Sequence, residues 1–113
     1  MMNKIKTLFA GLMLVFGATV FAAEQHGTAA LEHANAAVEQ GKANNVKELV
    51  KHANAALEHT LAAALVLKGQ AKGHMEAASN ELEEAATQGE LKQAEKATQH
   101  AEAAVTHIQA GNK

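Results

Sequence analysis

The sequence predicts an all-α protein: an antiparallel, up-down-up-down four-helix bundle made of two duplicated helical hairpins. Three observations carry this expectation. Ala, Leu, Glu, Lys and Gln dominate and proline is absent, so strong helix formers run on with only glycine to interrupt them. Glycines at 41, 69, 73, 89 and 111 divide the chain after residue 22 into four segments. Its two halves also match without gaps at an offset of 48, residues 26–65 being identical to 74–113 at 12 of 40 positions. Ala-rich helices inflate such a score, but His26/His74, Gly41/Gly89, His52/His100 and His59/His107 are not alanine matches. Two copies of one hairpin close naturally into a bundle.

The N-terminus stands apart. Met1, Met2, Asn3, Lys4, Ile5 and Lys6 form a short basic region, an apolar run follows from Leu8 to about Phe21, and Ala22 and Ala23 are small. This is the pattern of a secretory signal peptide over residues 1–22, cleaved after Ala22. The apolar run is short for a membrane span, and no cysteine follows it to carry a lipid. The expectation is a periplasmic protein with no stable membrane anchor after cleavage, its domain spanning 23–113.

The helices expected there are roughly 27–40, 44–68, 74–88 and 90–110, with the hairpin repeats at 26–68 and 74–110. Glycine just past a helix end is the usual stop signal. At 100° per residue, the first helix turns Leu31, Ala34 and Val38 inward. The second presents a stripe of Val46, Val50, Ala53, Leu57, Leu61 and Ala64, and the fourth a stripe of Ala94, Thr98, Ala101, Val105 and Ile108. His52 and His59 lie roughly 130° from the centre of the second helix's stripe, on an outer face or boundary. Leu, Ile, Val and Met number only 15 after residue 22. The core is therefore thin, and Met75 is expected in it or at a helix start.

Composition excludes several functions. All three phenylalanines lie before residue 23, and the chain has no cysteine, arginine or aspartate. Without Lys4 and Lys6, eight lysines face twelve glutamates, a net charge of −4 with histidine neutral. Nucleic acid, which requires a basic face, is not an expected partner. Covalent haem attachment needs cysteine, and no aromatic rings remain to line a porphyrin pocket. No nucleophile–base pair or phosphate-binding loop is present, so an enzyme is not expected.

Histidine is what remains. His33-Ala-Asn-Ala-Ala-Val-Glu-Gln40, His52-Ala-Asn-Ala-Ala-Leu-Glu-His59 and His100-Ala-Glu-Ala-Ala-Val-Thr-His107 are variants of one phrase, and six of the seven histidines form pairs seven residues apart. Neutral imidazole is the commonest ligand for transition metals. Two histidines seven apart on one helix are roughly 10 Å apart along its axis, too far to share an ion. Each must find its partner on another helix, on another molecule, or in a carboxylate.

Hairpin register suggests the partners. Folding the first hairpin between 42 and 43 brings His33 level with His52 and His26 level with His59. Folding the second between 90 and 91 brings Glu81 level with His100 and His74 level with His107. These are four rungs, three His/His and one Glu/His. In one hand of the bundle each pair converges on the groove between helices; in the other the side chains point apart, and the sequence leaves both open. Glu48 lies one helical turn before His52, and Glu32, Glu39, Glu58 and Glu102 are near other histidines in sequence. The candidate ligands are thus His26, His33, His52, His59, His74, His100, His107, Glu48 and Glu81. Mixed imidazole and carboxylate donors suit Cu(II), Ni(II), Zn(II) or Co(II), with Cu(II) first in the general affinity order. Divalent metal ions are the expected partners.

The signal sequence, the HANAAVEQG, HANAALEH and QHAEAAVTH phrases and the duplicated hairpin resemble the small metal-binding proteins of bacterial periplasms. The resemblance spans nearly all of 23–113. It implies a four-helix bundle with seven-residue histidine repeats that takes up copper and other divalent metals, with His26, His33, His52, His59, His74, His100 and His107 at the repeat positions. This chain departs in having fewer histidines: Glu81, Gln40 and Gln88 occupy repeat positions where the family often has histidine. The competing expectation is a structural or interaction bundle that dimerises or binds a partner helix through its alanine seams. On either reading the chain is a monomer or a weak homodimer.

Overall fold

A computed structural model describes residues 14–113, and the expected signal peptide over 1–22 lies largely outside the described residues. The described chain forms four α-helices: α1 (Leu14–Lys42), α2 (Val46–Val66), α3 (Gly69–Glu90) and α4 (Ala94–Gly111). Each packs on its neighbours in sequence, and α1 packs on α4 to close the ring. This is the expected bundle, but its helix boundaries differ from those the glycines predict.

Gly69, left-handed at φ 62°, stands at the α2/α3 junction and Gly111 ends α4 as expected, but glycine does not set the ends of the two hairpin turns. Gly27 lies inside α1, Gly73 inside α3, and Gly41 and Gly89 within the last turns of α1 and α3. A glycine costs a helix interior only about 1 kcal/mol, which the surrounding alanines, glutamates and glutamines outweigh. Both hairpin turns instead end in a residue of left-handed conformation, Asn44 and Lys92, each at φ 62°. The hydrogen bonds repeat position for position. Asn45 N–H donates to Gln40 O at 2.8 Å and Asn44 N–H to Gly41 O at 2.9 Å. Forty-eight residues later, Gln93 N–H donates to Gln88 O at 2.8 Å and Lys92 N–H to Gly89 O at 2.9 Å. This is the Schellman pattern, which satisfies the last helical carbonyls. The duplication is therefore structural, down to the backbone of the turns.

Gly41 and Gly89 serve packing. A Cβ on Gly41 would collide with Thr98 Oγ1 and come within 2.8 Å of Leu49 Cδ1; one on Gly89 would come within 2.6 Å of Val50 Cγ2. Both glycines are buried, and they let the ends of α1 and α3 close on their neighbours.

The core is mostly alanine. Leu49, Met75, Leu82, Ile108 and Thr60 are its largest fully buried side chains. On α2 the buried face is Leu49, Ala53, Ala56, Thr60, Ala63 and Ala64, while Leu61 is 50% exposed. The expected stripe is thus rotated by roughly 60° towards the histidines, at 100° per residue. On α4, Ala97 and Ala104 join Thr98, Ala101 and Ile108 inside, and Val105 is only partly covered. The cause is hydroxyl chemistry and side-chain size. Thr60 Oγ1 meets Ser79 Oγ at 2.7 Å; one hydroxyl donates to the other, and the accepting hydroxyl gives its own proton to the carbonyl of its helix, Leu57 O or Met75 O, each 3.0 Å away. That satisfied pair fixes the rotation of α2 against α3, and alanines fill the close approach.

Candidate metal centre

The rotation of α2 decides where its histidines go. His52 and His59 sit beside the core at the α1/α2 boundary, half-buried like the other five histidines. Asn45 starts α2 by accepting the Glu48 N–H at 3.4 Å, which fixes the first turn one turn below His52. Lys72 Nζ donates to Ala64 O at 2.9 Å at the helix's far end.

All four expected rungs form, and in all four the side chains converge. His26 Nδ1 lies 2.9 Å from His59 Nδ1, and His33 Nδ1 lies 3.2 Å from His52 Nδ1. In the second hairpin His74 Nδ1 is 3.4 Å from His107 Nδ1, and His100 Nδ1 is 2.7 Å from Glu81 Oε1. The open question of hand is thereby resolved towards convergence.

An imidazole pair at such distances is an N–H···N contact, one ring donating and the other offering its lone pair. The same distances suit a shared ion. Two nitrogens each about 2.0–2.1 Å from one ion stand about 2.9 Å apart at a right angle and about 3.3 Å apart at the tetrahedral angle. The His/His rungs span this range. The Glu81/His100 rung offers one nitrogen and one carboxylate oxygen, a donor set that borderline divalent metals accept.

Glu48 has a different place. Its Oε1 lies 3.9 Å from His52 Nε2, on the ring nitrogen opposite the one facing His33. At that distance it stands beside His52 without a hydrogen bond to it. Among the other glutamates, Glu102 lies 3.8 Å from Lys42 Nζ. Glu32 joins Glu24, His26 and His59 around an open cleft of about 490 Å³.

Two features have no counterpart in the sequence reading. The rings of His33 and His59, from different rungs, stack with centroids 5.9 Å apart and planes 6° from parallel. Heptad spacing on both helices makes that diagonal possible, but only the convergent hand realises it. The second concerns charge. The imidazole of His59 is held below its ordinary value of 6.5, first by burial and then by repulsion from His26 and His33, with Glu58 opposing. Burial and these neighbours favour the neutral ring, the form that ligates metal.

Among the described residues no three His or Glu side chains gather as a single metal-holding group. Each rung supplies two protein donors, so water or another ligand must complete the sphere of any ion held there. No curated protein matches the chain. The family model for small metal-binding proteins matches residues 2–111, which is nearly all of it. The bundle, its paired imidazoles and that match lead to one conclusion: the chain belongs to the small metal-binding protein family.

Proposed function

We propose that this protein buffers divalent transition metals in the periplasm, copper foremost, by holding exchangeable ions at the rungs between paired helices. The ligands are His26 with His59, His33 with His52, His74 with His107, and His100 with Glu81. The observation that carries this reading is the set of Nδ1···Nδ1 distances, 2.9, 3.2 and 3.4 Å, which match two ligands of one ion. Imidazole and carboxylate without thiolate favour Cu(II), with Ni(II), Zn(II) and Co(II) as weaker competitors. Two-donor sites exchange readily, which suits a buffer or carrier better than a catalyst.

The periplasmic assignment is supported by the basic start and apolar run of residues 1–22. Val20 and Phe21, just before the expected cleavage point, are 68% and 53% exposed. Calorimetric titration of residues 23–113 with Cu(II), Ni(II), Zn(II) and Co(II) at neutral pH tests the reading. It expects more than one bound ion, with Cu(II) tightest. Absence of binding for all four metals would refute it.

A further inference from the structure

The four rungs are alike in offering two donors each, but not in what stands one turn before them. In a helix every side chain leans towards the N-terminus, so a ring covers the turn that precedes it. His26 therefore leans over residues 22 and 23. Ala23 lies about 60° from it around the axis of α1 and about 4.5 Å back along that axis. Ala23 and His26 are both half-buried, His26 Nδ1 is 2.9 Å from His59 Nδ1, and the cleft between Glu24, Glu32 and these two rings leaves the rung open to solvent. In the second hairpin the position matching Ala23 is Ala71, well inside the chain.

We infer that the α-amine freed at Ala23 becomes a third nitrogen ligand of the ion held by His26 and His59, so that removal of the leader completes this one metal site; the inference rests on the proposed cleavage after Ala22 and on the proposed role of the rungs. In the precursor the Ala23 nitrogen is a peptide nitrogen, its lone pair shared with the Ala22 carbonyl, and it can donate a hydrogen bond but not ligate. Hydrolysis of the Ala22–Ala23 bond by water leaves a carboxylate on Ala22 and a primary amine on Ala23. That amine gives up its proton to solvent when it binds a metal, as any protonated ligand must. Two imidazoles and an amine leave a fourth position for water, a tetragonal donor set that suits Cu(II) or Ni(II). The other rungs stay at two protein donors, because every residue one turn before their histidines lies inside the chain and keeps its peptide nitrogen. Electrostatics alone predicts the opposite effect of blocking the amine. Acetylation removes a positive charge from the N-terminal end of a helix, where positive charge is unfavourable, and from beside a bound cation. Without ligation, acetylation would leave metal binding unchanged or make it tighter.

The test starts from protein exported from its full-length precursor, whose mass should show Ala23 as the first residue. It is titrated with Cu(II) by calorimetry and by electron paramagnetic resonance, once with the amine free and once with it acetylated; its low proton affinity beside the lysines makes that reaction selective. Circular dichroism checks that helix content is equal. Acetylation should weaken the tightest site by about ten-fold or more, since losing a ligand costs no less than losing an outer-shell partner. It should also remove one nitrogen from the Cu(II) superhyperfine pattern and leave the weaker sites as they were. His74→Gln should keep the whole effect of acetylation, and His26→Gln should abolish it. Affinity and spectrum unmoved by acetylation, or an equal effect in His26→Gln, would overturn the inference and leave the metal-binding role standing. A processed chain that starts elsewhere than Ala23 would overturn it too. Failure of the free-amine protein to bind copper at all would overturn both.

Discussion

His59 joins the two rungs of the first hairpin. Its ring contacts His26, stacks on His33 and is held below 6.5 by burial and by those neighbours. The stability consequence follows from linkage. Below about 6.5 the unfolded ring takes up a proton that the folded ring resists, so the unfolded state binds more protons in that window. Stability therefore rises with pH through the window and is lost as pH falls below about 6.5. Imidazole resonances followed by NMR should place the His59 midpoint below 6.5, and thermal melts of the metal-free protein should fall over the same range; a midpoint at or above 6.5 would contradict the burial of this ring. The levels of all four rungs, including Glu81 opposite His100, were legible from residue numbers alone, because a hairpin fixes which positions face each other. Convergence was not legible. In the first hairpin it turns on the rotation of α2, where Thr60 is buried against Ser79 while Leu61 is half exposed, and hydropathy counting gives a threonine little weight beside Leu61.

At the scale of the helix, the glycines divide by what surrounds them. Gly73 is exposed within α3, and a Cβ added there would meet nothing within 4 Å, so Gly73→Ala should stabilise by about 0.5–1 kcal/mol through helix propensity. Gly41→Ala and Gly89→Ala should instead destabilise by about 1–3 kcal/mol through overpacking, since Thr98, Leu49 and Val50 occupy the space a methyl would need. Lys92, left-handed at the turn where its counterpart is Asn44, bears a cost that glycine does not, so Lys92→Gly should stabilise by about 1 kcal/mol. Urea melts of the four variants check all of this. Helix number, hairpin pairing and repeat offset were readable from the sequence. The helix ends at the two hairpin turns were not, because Gly41 and Gly89 read as stops where their lack of a side chain serves close packing, and the true left-handed stops there are Asn44 and Lys92.

At the scale of the whole molecule, the alanine core makes stability sensitive to ligand. Among the described residues only Leu49, Met75, Leu82, Ile108 and Thr60 are large and fully buried, so each rung that binds metal adds a share the core does not supply. One site saturated at a hundred times its Kd contributes about 2.7 kcal/mol, which in a domain of this size raises Tm by roughly 10–20 °C. Copper should produce a shift of that order, reversed by a chelator. The measurement that tests the central claim most directly compares residues 23–113 with a variant carrying Gln at His52, His59, His100 and His107, which removes one member of every rung from α2 and α4. Both are titrated with Cu(II) by calorimetry, with circular dichroism to check that helix content is equal. The prediction is micromolar or tighter binding of more than one ion to the native chain and loss of that binding in the equally helical variant. Equal binding by the two proteins would contradict it.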